Sequence, residues 1–157
     1  MIDIERLAKE FRYATEAACE NGEMRKHPPF SGFPNECCDL TCDLLGQYLF
    51  ENNIETYQMN GKCKYDAKWH HVWLLTKDEI VIDITGDQFI NKLVSPKEVK
   101  EVHVGIEGKI HRIFDLERKP EKNTVFTDPN KFTDFGGRPN KRQKTLMEVY
   151  EIICQYL

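Results

Sequence analysis

The sequence predicts an α+β domain, on three observations. Apolar residues recur at helical spacing near both ends of the chain and again across residues 36–52. Between the second and the last of these stretches, short apolar or alternating runs are separated by turn formers, which is the pattern of strands. The 157 residues suit a single domain, 1–157, with 40% apolar and 31% charged residues. A chain of that size buries roughly two-thirds of its unfolded surface and needs no disulfide framework.

In the first helix, predicted over residues 3–20, Ile4, Leu7, Ala8, Phe11, Ala14 and Ala18 form one face, and Asn21-Gly22 is a stop signal. Residues 22–36 are a loop, because Pro28, Pro29 and Pro34 each lack a donor and constrain the residue before them. His27 in this loop reads as exposed. The second helix is predicted from about Glu36 to Asn52, with Asn35 as its N-cap and Leu40, Leu44, Leu45, Tyr48 and Leu49 on its apolar stripe. Cys37 falls within that stripe, and Cys38 falls at its edge, in the first turn. Unpaired amides and the helix dipole favour a thiolate there.

Ile54 to Met59 alternates as a strand, Asn60-Gly61-Lys62 reads as a turn, and Cys63 to Tyr65 as the start of a return strand. Trp69 to Leu75 and Glu79 to Ile84 are predicted strands around Thr76-Lys77-Asp78. On an antiparallel pair, an odd-length loop or a bulge places Asp83 and His71 on one face, and a two-residue turn separates them. Ser95-Pro96 resembles a helix start, and Val102–Val104 and Ile110–Phe114 read as short strands with His103 and His111 turned to solvent. Residues 115–144 are polar and turn-rich, the composition of a functional or mobile loop and a candidate cleft wall. Leu146, Val149, Tyr150, Ile153 and Leu157 form the last helix.

The net charge of −4 offers no attraction for nucleic acid or an anionic membrane. No apolar run approaches the ~20 residues of a membrane span. The first residues lack the basic start and apolar run of a secretory signal, so the expectation is a cytoplasmic protein whose six cysteines are free thiols.

A thiol, an imidazole and a carboxylate are the parts of a cysteine-nucleophile enzyme. Cys38, His71 and Asp83 supply them on a helix start and two strands. Asp83 stands in an apolar run (Ile80, Val81, Ile82, Ile84), where a buried carboxylate requires a partner. The doubled residues leave Cys37 as a rival nucleophile and His70 as a rival base. For the oxyanion hole, the Cys38 amide and the Asn35 side chain are candidates.

These residues resemble the papain-like cysteine hydrolase superfamily in its transglutaminase-like branch. The likeness lies in Phe33-Pro34 with Cys38 and Leu44-Leu45, then His71-Val72-Trp73, then Ile82-Asp83-Ile84-Thr85 and Asp87-Gln88-Phe89, about a third of the chain. It implies a helix carrying the cysteine packed on an antiparallel sheet, and peptidase, amidase, deamidase or acyl-transfer activity on a protein, peptide or small amide, with no cofactor. It adds Trp73 and Gln88 as site-lining residues. Asp39 stands where such enzymes often carry glycine, and would raise the thiol pKa if it pointed inward. Two other readings use the same residues. One is an inactive member of the fold serving as a binding protein. The other is a zinc-stabilised module using Cys37, Cys38, Cys42, Cys63, His70 and His71, without a Cys-x-x-Cys knuckle.

Overall fold

The structure, a computed structural model, describes residues 3–157. It is α+β, with four helices and an antiparallel sheet. Helix α1 (Ile4–Glu20) starts where Asp3 accepts a hydrogen bond from the Arg6 amide at 2.9 Å. It stops at Asn21 and Gly22, whose φ of 74° takes the chain out of the helix. Helix α2 (Cys38–Glu51) starts two residues later than the sequence predicts. Glu36 has a φ of 59°, and Cys37, not Asn35, is the N-cap residue. His27, expected to be exposed, is buried with its ring 3.7 Å from Glu148.

Strand β1 (Thr56–Cys63) runs straight through Asn60-Gly61, where a turn was expected. Gly61 serves close packing there. A Cβ on it would lie 2.7 Å from the Phe114 side chain and 3.3 Å from the Trp73 ring. The chain reverses at 64–69 instead, where the Asp66 side chain accepts from the Lys68 amide at 3.1 Å. Strands β2 (His70–Thr76) and β3 (Val81–Asp83) follow, then one helical turn at Gly86–Phe89. Ser95–Glu98 is a hydrogen-bonded turn, not a helix start. Strand β4 (His103–Gly105) pairs with β3. The predicted strand at 110–114 is instead helix α3 (Lys109–Arg112), followed by β5 (Phe114–Leu116).

The polar stretch 115–144 is pinned beside α2 and β1. Strand β6 (Glu121–Lys122) pairs with β1, Gln58 donates to Asn123 at 2.7 Å, and Gln47 donates to Thr127 at 3.3 Å. Helix α4 (Lys141–Cys154) is capped by Asn140, whose side chain accepts from the Gln143 amide while Gln143 reaches back to the Asn140 amide.

The sheet order is β4-β3-β2-β1-β5, with β6 also on β1. One face carries Val72, Leu74 and Ile82 into the core formed with α1, α2 and α4. The other carries Trp73 and Val81 into a second cluster with Phe89, Val94, Ile110, Ile113 and Phe114. Among the described residues, no helix is long and apolar enough to cross a membrane.

Candidate functional site

The β2–β3 connection brings His71 and Asp83 together. Leu75 pairs with Val81, and the Thr76 amide donates to the Ile80 carbonyl at 2.9 Å, leaving Lys77–Glu79 as the loop. Glu79 takes a φ of 63° to close it. The loop is odd in length, so odd-numbered residues of both strands share a face. Continuing the register sets Asp83 across from Trp73, diagonal to His71, and the two side chains close the gap: His71 Nε2 lies 2.7 Å from Asp83 Oδ2.

Asp83 is 3% exposed and fully partnered. Its Oδ1 accepts from the Thr85 amide at 3.0 Å and the Thr85 hydroxyl at 3.5 Å. Its Oδ2 accepts from His71 and from a second imidazole, His111 Nε2, at 2.9 Å. Burial disfavours the carboxylate charge, but the two imidazoles outweigh it and hold the Asp83 pKa below the usual carboxylate range. Burial likewise disfavours a histidinium at His71. The opposite direction results. Asp83, with a contribution from the Cys38 thiol, raises His71 to about 10.

A carboxylate only accepts, so His71 Nε2 carries a proton. Its Nδ1 is buried with no hydrogen-bond partner among the described residues. A buried polar atom left open in a ring otherwise enclosed by Trp73, Phe89 and Phe114 calls for a reason. The Cys38 thiol is near enough to that ring to raise its pKa. Cys38 is half-buried in the first turn of α2, whereas His71 and Asp83 are closed to solvent. The thiol is therefore the member of this group that a reagent reaches first.

The rival residues are placed elsewhere. Cys37 is fully buried, its sulfur accepts from the Thr41 hydroxyl at 3.6 Å, and burial pushes its thiol up to about 12. His70 is exposed and pairs with Glu117 at 2.9 Å. Asp39 points outward to Arg142, 3.6 Å away, and not towards the thiol. Asn35 is exposed. Trp73 packs against both His71 and His111. Gln88 donates to the Thr85 carbonyl at 2.9 Å and accepts from the Glu36 amide at 3.4 Å, tying the end of the Asp83 strand to the loop before Cys38.

His111, expected to face solvent, is 2% exposed and is the partner that sequence reasoning missed. Its alternation with apolar residues mimics a strand, and a four-residue helix shows too little periodicity to correct that. The available signal was Asp83 itself. An ionised carboxylate offers about four acceptor positions, more than one histidine fills.

The zinc set does not assemble. Cys63 lies in the second cluster, Cys42 donates to the Val72 carbonyl at 3.4 Å, and His70 is at the surface. His71, Asp83 and His111 do offer ligand atoms within 4.8 Å of one another. The tautomer of His111 argues against a metal there. Its Nδ1 accepts from the Gly108 amide at 2.9 Å, so the proton sits on Nε2, the atom that would have to ligate.

Gly86 leaves room for this arrangement. A Cβ at that position would lie 2.8 Å from Asp83 Oδ2 and 3.2 Å from Val99 Cγ2. Gly86→Ala is expected to cost about 1–3 kcal/mol in urea unfolding, the usual range for overpacking. It should also slow alkylation of Cys38 by pushing the carboxylate off His71. A variant with wild-type stability and wild-type labelling would refute the close fit. No family model, curated protein or solved structure matches the chain.

Proposed function

We propose that this chain is a cysteine-nucleophile hydrolase or acyltransferase, acting on an amide or ester through Cys38, His71 and Asp83, on a papain-like/transglutaminase-like core. The observation that carries the reading is the buried, unpartnered Nδ1 of a histidine whose Nε2 is held by a buried carboxylate, beside a half-exposed thiol at a helix start. Asp83 fixes the ring and favours its charged form, so His71 can hold the proton that the Cys38 sulfur gives up in the reaction.

In this reaction the Cys38 thiol proton passes to His71 Nδ1, and the sulfur attacks the carbonyl carbon. The carbonyl π electrons move to oxygen, and the first-turn amide of Cys38 is a candidate donor to that oxyanion. His71 then returns the proton to the departing amine or alcohol as its bond to the acyl carbon breaks, leaving a thioester. Water or an amine attacks the thioester, gives a proton to His71, and restores the thiol.

The test is alkylation by iodoacetamide as a function of pH, mapped by mass spectrometry. Cys38 is expected to label well below pH 8 and faster than free glutathione under the same conditions. His71→Ala should slow it by about tenfold or more, a tenfold loss being about 1.4 kcal/mol of barrier. Fast labelling at Cys37 would move the nucleophile by one residue. Labelling of Cys38 that simply tracks glutathione would sink the enzyme reading and favour an inactive fold used for binding.

A further inference from the structure

Two imidazoles share one oxygen of Asp83, and only His71 has a task in the chemistry above. The geometry points to His111 as a positioning residue that holds Asp83 as a carboxylate while His71 gives up its proton. The inference rests on the catalytic reading just stated, because only a cycling His71 makes such support useful.

The Gly108 amide donates to His111 Nδ1 at 2.9 Å, so His111 is held as the Nε2–H tautomer. That proton points at Asp83 Oδ2, 2.9 Å away. His111 therefore acts as a fixed neutral donor. A second imidazolium here would face His71 across a ring separation of 6.4 Å and His103 at 4.8 Å. Burial works against that charge first, and the two neighbouring histidines add to it, which together lower the His111 pKa despite Asp83. The charged or titratable groups around this site are Cys38 and Cys42 from α2, His71 from β2, Asp83 from β3, Asp87 from the helical turn after it, His103 from β4 and His111 itself from α3.

The consequence for catalysis follows from which state needs His111 most. While His71 is protonated, Asp83 has a cation 2.7 Å away. Once His71 releases that extra proton, the carboxylate is buried without a counter-charge and keeps the His71 Nε2–H, Thr85 and His111 as its donors. Donation from His111 is worth more in that second state, so it lowers the cost of deprotonating His71. Without it, Asp83 would hold the His71 proton more tightly, and transfer to a leaving group would be harder.

The test is imidazole 15N NMR of the full chain, in the wild type, His111→Phe and His111→Gln. In the wild type, His111 is expected to be the neutral Nε2–H tautomer at pH 7 and above. In His111→Phe, the His71 midpoint should rise by about one pH unit, the size of one hydrogen bond to a charged group. At the pH where wild-type His71 is half-protonated, the variant should keep about nine-tenths of it protonated by the same arithmetic. His111→Gln places an amide N–H where Nε2 stood and should restore most of the wild-type midpoint.

A His111 that titrates above the ordinary histidine value of about 6.5, or carries its proton on Nδ1, overturns the inference in the wild type alone, whether or not a variant folds. A Phe variant that loses stability but leaves the His71 midpoint unmoved also overturns it, since a purely structural ring would behave that way. None of these readings uses a substrate or the reactivity of Cys38. An inert Cys38 overturns the hydrolase reading, and an unmoved His71 midpoint overturns the role of His111.

Discussion

Asp83→Ala is expected to remove about 3–5 kcal/mol of folding free energy near pH 6, the range for breaking a buried ion pair from one side. Two buried imidazole N–H groups and the Thr85 amide would lose their acceptor at once. The pH dependence identifies the cause. His71 is raised when folded, so its contribution is complete below the unfolded histidine value of about 6.5 and fades as pH climbs towards about 10. Asp83 is lowered when folded, so its contribution is complete above the unfolded value of about 3.9 and fades as pH falls below it. The gap between wild type and variant should therefore be widest between roughly pH 4 and 6.5 and should narrow on both sides. Urea unfolding at pH 3, 5.5, 8 and 10 would show this. A gap that stays level from pH 5.5 to 10 would mean that packing, and not the charge pair, is what the substitution removes.

The elements that position this pair were legible in the chain wherever periodicity was long. The stripe of α1 and the leucines of α2 span enough residues for burial to impose their period, β2 reads as an apolar run bounded by turn formers, and the structure keeps all three. The condition on the β2–β3 loop was also legible, since side-chain parity alone requires an odd connection if Asp83 is to meet His71. The choice between loops was not, because it depends on Glu79 adopting a positive φ, which its side chain does not advertise. Asn60-Gly61 misled for a related reason. The pair favours a turn locally, but Phe114 and Trp73, distant in sequence, need a residue without Cβ inside β1. Long-range packing overrode local propensity there, and the same holds for His111, whose place is set by Asp83 and Gly108 rather than by its neighbours in sequence.

Arg12→Met is expected to be the other costly substitution, at about 3 kcal/mol or more, because Arg12 fastens the chain on both sides of the site. The residue lies on the buried side of α1 and is 4% exposed. Its guanidinium donates to both oxygens of Asp87 at 2.9 and 3.0 Å, to Glu16 at 2.5 Å, to the Ile84 carbonyl at 2.5 Å and to the Glu101 carbonyl at 3.3 Å. It also stacks over Phe33, 4.9 Å from the ring centre, in the loop that leads to Cys38. Ile84 follows Asp83 directly, so one planar group ties the Asp83 strand to the approach to the thiol. Methionine fills much of the volume but leaves two carbonyls and the Asp87 carboxylate without this donor, in a place where burial already pushes the Asp87 pKa up. Arg12→Lys keeps the charge yet cannot span these acceptors, since an ammonium lacks the planar fork. It should recover less than half of the loss in urea unfolding. Both variants should slow Cys38 alkylation, with the lysine variant intermediate, because a loosened Ile84–Asp87 segment no longer holds Asp83 against His71. A lysine variant as stable and as reactive as wild type would show that charge alone is needed at this position, and that the bidentate geometry of Arg12 has no part in aligning the site.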